Sequence, residues 1–409
     1  MKRRDFVRIG LAGAAALPLV RCEKNASPEE PPPDPTETRN ALFQVNRIPA
    51  DPFTTGNRHG GVDTLFTLMG QKGLKFYRTS TSGALNGANG LIAADDVVLV
   101  KVNAQWKYRG CTNTDVVRGV IQRVLEHPDG FRGEVVVVEN GQGRGSLACD
   151  TSTAYGNAEV HANAQNESHS FLWLVDVLFN DPRVTAYLLD PIRATFIGAG
   201  DHATDGYRTL ENVSYPCFTT AGGRRVELRE GLWNGSSFGS GLKLINIPVL
   251  KHHDTDGSMI TGALKHTYGL VSMEDGQSDF RHYAGLGETC GKMMASVRTP
   301  VLNIMDAIWV SQSNLTGYPA SATTRVDTLL ASQDPVALDY WSAKYVLYPI
   351  DNETRHRPDY PAIDAWLTSA RDTIVARGGF TQTAQGVAVT KPTKTESEMV
   401  LYQAVSGSL

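Results

Sequence analysis

Apolar residues in this chain gather into short unbroken runs separated by polar turns. Runs of that kind, rich in β-branched residues, read as strands buried on both faces rather than as strands with one wet side. They fall at Asp96–Val102 (DVVLVKV), Glu134–Glu139 (EVVVVE), Ala194–Gly198, Leu242–Val249 (LKLINIPV) and Val301–Ile308. Between the first two, Val116, Val117, Val120, Ile121, Val124 and Leu125 recur at helical spacing. Thr114 or Asp115 is placed to cap that helix, and Pro128 and Gly130 to end it. Strand, helix, strand is a βαβ unit, so the sheet is at least partly parallel. Further helices are expected at Ser168–Phe179, Glu288–Ser296, Pro335–Leu347 and Pro361–Gly378. The pattern predicts a mixed α/β fold with a largely parallel sheet and flanking helices, as one large unit or, alternatively, as two lobes meeting near residues 200–240. Within that boundary, Asp201–Ser240 is rich in Gly, Asn, Thr and Ser, which suits long loops or a small inserted β element.

The first twenty residues follow a different pattern. Arg3-Arg4-Asp5-Phe6-Val7-Arg8 precedes an apolar stretch from Ile9 to Val20 with no polar face. That stretch is shorter than the roughly 20 residues a membrane span needs, and it fits the apolar region of a signal peptide. The arginine pair followed by Phe and a Gly/Ala-rich run resembles a twin-arginine export signal. Leu19-Val20-Arg21-Cys22 has the outline of a lipoprotein box, but Arg21 stands where a small residue belongs, which weighs against a lipid on Cys22. The reading is a signal at 1–22, a Pro/Glu-rich tether at 23–40 (EKNASPEEPPPDPTETRN) and a folded body at 41–409. It places the protein in the periplasm or cell envelope, with the translocation machinery as its partner during export.

Composition narrows the classes of function. Of 409 residues, 41% are hydrophobic, and 39 basic against 43 acidic residues give a formal charge of −4. A chain with no basic surplus is a poor match to a phosphate backbone, so no nucleic-acid partner is expected. Cys22, Cys111, Cys149, Cys217 and Cys290 are far apart and contain no CxxC pair, so a clustered zinc or iron–sulfur site is not supported. The residues single out no cofactor and no metal.

Reactive side chains concentrate in Leu250–Tyr283, directly after the run Leu242–Val249. Ligands of open α/β sheets bind beyond the carboxyl ends of the strands, which is where Lys251, His252, His253 and Asp254 fall. Neighbours on an extended chain point opposite ways, so at most one of His252 and His253 faces a shared crevice. Farther on, a Gly/Ser/Thr-rich lead enters a short helical pattern in which Thr261 and Lys265 share a face. Amides at such a helix start favour an anion. His282 is placed to act as a general acid or base, whereas His59, His127, His161, His169 and His356 read as structural. Two other strand ends carry polar groups. Lys101 and Asn103 alternate with apolar residues, and a lysine in so apolar a run needs a partner or a ligand. Glu139 and Asn140 precede a Gly-rich turn with Arg144, whose glycine spacing is wrong for a dinucleotide loop. Asp306 ends VLNIMD, and Asp334 is placed to cap the helix opened by Pro335.

In order, VLVKVN, VVVVENG, LINIPVLKHH, TGALKHTYGLV, VLNIMDAI and ASQDPVALDYW resemble the bacterial and archaeal family called domain of unknown function 362, from about Asp96 to Val346. The resemblance singles out Lys101, Asn103, Lys251, His253, Thr261, Lys265, His282, Asp306 and Asp334, but implies no established reaction. Here His266 stands where the family usually has Asn. The ferredoxin-type four-cysteine module of some relatives has no counterpart in this chain.

Two classes of function follow. The first is an enzyme acting on a small acidic metabolite or sugar acid. In it Lys251, His253, Lys265 and His282 are catalytic, and Lys101, Asn103, Thr261, His266, Asp306 and Asp334 bind the ligand. The second is a non-catalytic periplasmic binding protein that holds an anion or cofactor with the same groups.

Overall fold

Strands buried on both faces require helices or a second sheet above and below them, and this arrangement is seen in the computed structural model. The structure describes residues 40–151, 157–253, 257–272, 274–275, 282–380 and 391–409. The signal and nearly all of the tether lie outside the described residues, as does Asp254. All described residues fall in one compact unit, Thr36–Leu409. In chain order the strands are β1 (Asn40–Asn46), β2 (Tyr77–Arg78), β3 (Asn86–Gly87), β4 (Val97–Lys101), β5 (Glu134–Glu139), β6 (Val184–Leu188), β7 (Gly206–Leu210), β8 (Val213–Thr219), β9 (Arg225–Glu227), β10 (Gly231–Trp233), β11 (Phe238–Gly239), β12 (Leu242–Asn246), β13 (Val249–His252), β14 (Ile260–Thr261), β15 (Leu302–Ser311), β16 (Thr323–Ser332) and β17 (Met399–Val405). The helices are α1 (Gly60–Gln71), α2 (Thr114–Leu125), α3 (Phe171–Trp173), α4 (Ala263–His266), α5 (Leu286–Lys292), α6 (Pro335–Ser342), α7 (Tyr348–Asp351) and α8 (Pro361–Ala376). Turns of π-helix prolong α3 to Phe179, α5 to Val297 and α6 to Leu347.

The large sheet runs β17-β1-β16-β15-β12-β4-β5-β6. It is parallel except where β16 pairs with β1 and with β15 and where β14, off this path, pairs with β13. Its central strands are fully buried, and alternate residues serve two separate cores. Val98, Val100, Val135 and Val137 pack with α1, α2 and α3, whereas Val97, Leu99, Val136 and Val138 share a core with α4, α5, α6 and α8. The fold class is the mixed α/β architecture expected from the apolar runs. The Gly/Asn-rich stretch after residue 200 carries an antiparallel sheet, β11-β10-β9-β8-β7, whose Tyr207, Tyr215 and Phe218 join the second core.

Some local expectations are corrected. Ala194–Gly198 is not a buried strand: it is mostly exposed and contributes one isolated bridge, Phe196 to Tyr207. Pro191 and the glycines at 198 and 200 bracket it, and the strand beside β5 is β6 instead. The cap of α2 is Asn113, whose Oδ1 accepts from Asp115 and Val116 amides, rather than Thr114 or Asp115. Leu242–Val249 is broken at Ile247-Pro248, because proline cannot donate to a ladder. Beyond the break, β13 continues along β15 in the register of β12, Val249 opposite Asp306, and the register slips only between Val249 and Lys251, which lies opposite Ser311. Among the described residues no helix is long and apolar enough to cross a membrane.

Candidate functional site

Because β4 and β5 run parallel, their polar last residues emerge together at one sheet edge, where β13 also ends. A cavity of about 380 Å³ opens there. Lys101, the last residue of β4, is fully buried in its wall. Its Nζ donates to the Val102 carbonyl at 2.8 Å and pairs with the Glu139 carboxylate from β5. Burial lowers the lysine pKa and raises that of Glu139 to about 7, and the attraction between the two opposes both shifts. Gly269 passes directly over the pair. A Cβ there would overlap both Lys101 Nζ and Glu139 Oε2, so only glycine fits.

On β13 the alternation separates the adjacent histidines. Lys251 and His253 line the cavity. His252 points away, its Nδ1 2.9 Å from His356 Nε2, with His356 Nδ1 3.2 Å from Asp351 Oδ1. Lys251 Nζ donates to the Gly110 carbonyl at 2.5 Å. Its pKa falls to about 7, chiefly through burial, with Lys265 and Lys101 adding to the fall and Cys111 and Glu139 opposing it. Thr261 is also in the cavity wall, but as part of β14, opposite Lys251, and not on a helix with Lys265.

The short helix α4 presents Lys265 and His266 to the cavity. Its start is not open to an anion: Asp339 from α6 accepts from the Ala263 amide at 2.5 Å and the Leu264 amide at 3.0 Å. Lys265 Nζ lies 3.2 Å from His282 Nε2, and the His282 ring is centred 5.5 Å from that of His253. An ammonium has no lone pair, so as a cation Lys265 donates and His282 Nε2 accepts. His266 Nδ1 lies 2.6 Å from Asn246 Oδ1. The Asn246 amide nitrogen is committed to the Ala263 carbonyl and to Asn303 Oδ1, so the oxygen must face the histidine. His266 therefore carries its proton on Nδ1. Burial, then Lys101 and Lys251, hold its pKa well below the usual imidazole range against an opposing hydrogen bond to the Val102 backbone, so the ring is neutral.

The structure thus brings Lys101, Asn103, Lys251, His253, Thr261, Lys265, His266 and His282 to one cavity. Asp306 and Asp334 are not in its wall. Asp306 is fully buried and accepts from the Asn113 amide at 2.8 Å and the Ile308 amide at 3.1 Å, tying the start of α2 to β15. Asp334 caps α6 through the Val336 and Ala337 amides and also accepts from Asn40 and Thr393. Both carboxylates act on backbone amides that would otherwise be orphaned.

The cavity also contains Trp106, Gln142, Tyr268 and Tyr283, given no site role from the sequence, and Glu139 and Arg144, which the sequence placed at and just past a strand end without assigning them to the site. Glu139 had a signal, a carboxylate closing a wholly apolar run. Trp106 and Gln142 sit in loops whose approach to α4 depends on tertiary folding. Among the described lining residues the cations are Lys101, Lys251, Lys265 and Arg144, and the sole carboxylate is Glu139. No group of three or more His, Cys, Asp or Glu able to hold a metal occurs among the described residues.

Residues 241–344 match the model of the family described as Domain of unknown function (DUF362). No curated protein and no solved structure matches the chain significantly. The matched segment spans β12 through the whole of α6 and supplies Lys251, His253, Thr261, Lys265, His266 and His282. The opposite wall, with Lys101, Asn103, Glu139 and Arg144, comes from outside it. The similarity detected by the family model is thus narrower than the span from Asp96 to Val346 over which the motifs run.

Proposed function

We propose that the cavity is an active site for a small anionic metabolite or sugar acid. The observation that carries this reading is the excess of cationic groups over a single carboxylate, among the described lining residues, in one cavity at the strand ends. An anion there gains charge-assisted hydrogen bonds and relieves the mutual repulsion of the lysines. In this reading Lys251 and Lys265 hold the anionic group. Lys251, with a pKa near 7, exchanges a proton at working pH, and His253 or His282 carries the proton to or from the substrate. The twin-arginine reading of residues 3–20 adds that the reaction takes place in the periplasm or cell envelope.

The test is turnover of a panel of small carboxylic and sugar acids, with solvent deuterium exchange read by NMR. The native protein is expected to exchange or convert at least one acid. Lys265→Ala should lose turnover by at least a hundredfold while melting at the native temperature. An acid retained tightly without turnover would instead make this a binding protein. Absence of binding by every acid would overturn the reading.

A further inference from the structure

The loop that anchors Lys251 carries a feature that the anion site does not use. Gly110, whose carbonyl receives the Lys251 ammonium, is followed by Cys111, fully buried in the loop after β4. Cys149, 1% exposed, belongs to the loop after β5. His161 stitches the two loops together: its amide donates to the Cys149 carbonyl at 2.9 Å, and its carbonyl accepts from the Tyr108 amide at 2.7 Å. Both cysteines are free thiols, and the thiols are hydrogen-bonded to each other. Cys149 is the donor in that bond, because the Cys111 proton goes to the Tyr108 carbonyl at 3.2 Å. Cys149 also holds a left-handed backbone, φ 54°, which a β-carbon disfavours. The other two described cysteines have different partners: Cys217 accepts from Arg225 at 3.0 Å, and Cys290 contacts Thr267.

We infer that Cys111 and Cys149 are the two halves of a structural disulfide that ties the Lys251-anchoring loop to the loop after β5. In the step, the Cys111 thiolate attacks one sulfur of a disulfide oxidant such as oxidised glutathione and expels a glutathione thiolate. Cys149 then attacks the Cys111 sulfur of the mixed disulfide and expels the second. Two protein thiols are oxidised, one oxidant disulfide is reduced, and the two protons pass to the glutathione thiolates. Cys111 is the natural attacker. Burial opposes its ionisation, but the Cys149 hydrogen bond, the Asn163 backbone and the charges of Lys251 and Arg109 outweigh burial and lower its pKa. Both sulfurs are out of reach of a bulky oxidant in the closed fold, so the bridge forms as the chain folds or while these loops are open. Once closed, it is shielded from reductants. An envelope location is an oxidising setting in which such a bond persists. The inference is independent of what the cavity binds.

Refolding the reduced full chain from urea in a buffer of oxidised and reduced glutathione, followed by alkylation in denaturant and mass measurement, tests this. One bridge is expected, with a loss of about 2 Da and a linked Cys111–Cys149 peptide. The oxidised protein should melt about 3–5 °C above the reduced protein, as closure of a loop of about 40 residues implies. Cys149→Ser should melt at the same temperature with and without the oxidant. All five thiols remaining open to alkylation, or a bridge joining a different pair, overturns the inference. If refolding yields no native protein, the same mapping decides by the same outcomes on folded protein held with oxidised glutathione in urea too dilute to unfold it.

Discussion

Lys101 and Glu139 have side chains 1% and 3% exposed, and neither would remain charged in that setting alone. The pair solves the problem for each and leaves a polar floor to the cavity. Removing one partner strands the other, so Glu139→Ala should cost about 3–5 kcal/mol in chemical denaturation. A cost under about 1 kcal/mol would mean that Lys101 stays neutral without its partner. Lys101 was legible in the sequence as a charge inside an apolar run. That Glu139 answers it was not, because the pairing depends on β4 and β5 lying side by side with Lys101 opposite Val138. His266 shows the reverse. Its identity was plain, but its contact with Asn246, whose amide is held in turn by Asn303, is one that no local pattern connects to it.

The helix α4 has too few residues to persist by itself, and its start is built by another element. Asp339 of α6 reaches across to the Ala263 and Leu264 amides, and a Cβ on Gly262 would collide with that carboxylate. Asp339→Ala leaves two buried donors unsatisfied, and a loss of about 2–4 kcal/mol is expected, read as a lowered melting temperature. Unchanged melting would show that α4 is held from elsewhere. Elements with an unambiguous period were legible: β4, β5, α2, the helices opened by Pro335 and Pro361, and the strand at Leu302–Ser311. Those missed had mixed patterns. The first half of β16 (TTRVD) is half-exposed, β17 is an edge strand with a partly wet face, and α1 begins with two glycines behind a histidine cap. Ala194–Gly198 had the composition of a strand without a partner to make it one.

At the scale of the whole molecule, a chain of formal charge −4 carries a cationic cavity. The acidic surface gives no long-range attraction for an anion, so capture depends on short-range contact with the lysines, where burial strengthens electrostatics. The sheet order makes this geometry. β4 and β5 place Lys101 and Glu139 on one wall, and β13, which continues along β15 after Pro248, places Lys251 and His253 on the other. The location of the site beyond the strand ends was legible in the sequence, but its two-sided construction was not, since half of the wall lies outside the segment that carries the motifs. Since burial brings the Lys251 pKa down to about 7 and an anion binds the charged form, affinity must fall as pH rises through that value. The most direct measurement is calorimetric titration of gluconate at pH 6.5 and pH 8.5, on native protein and on Lys251→Met. Binding to the native protein should be about tenfold or more weaker at the higher pH, and Lys251→Met should bind weakly and equally at both. Equal affinity of the native protein at the two pH values, or undiminished binding by Lys251→Met, would contradict a site built around this lysine.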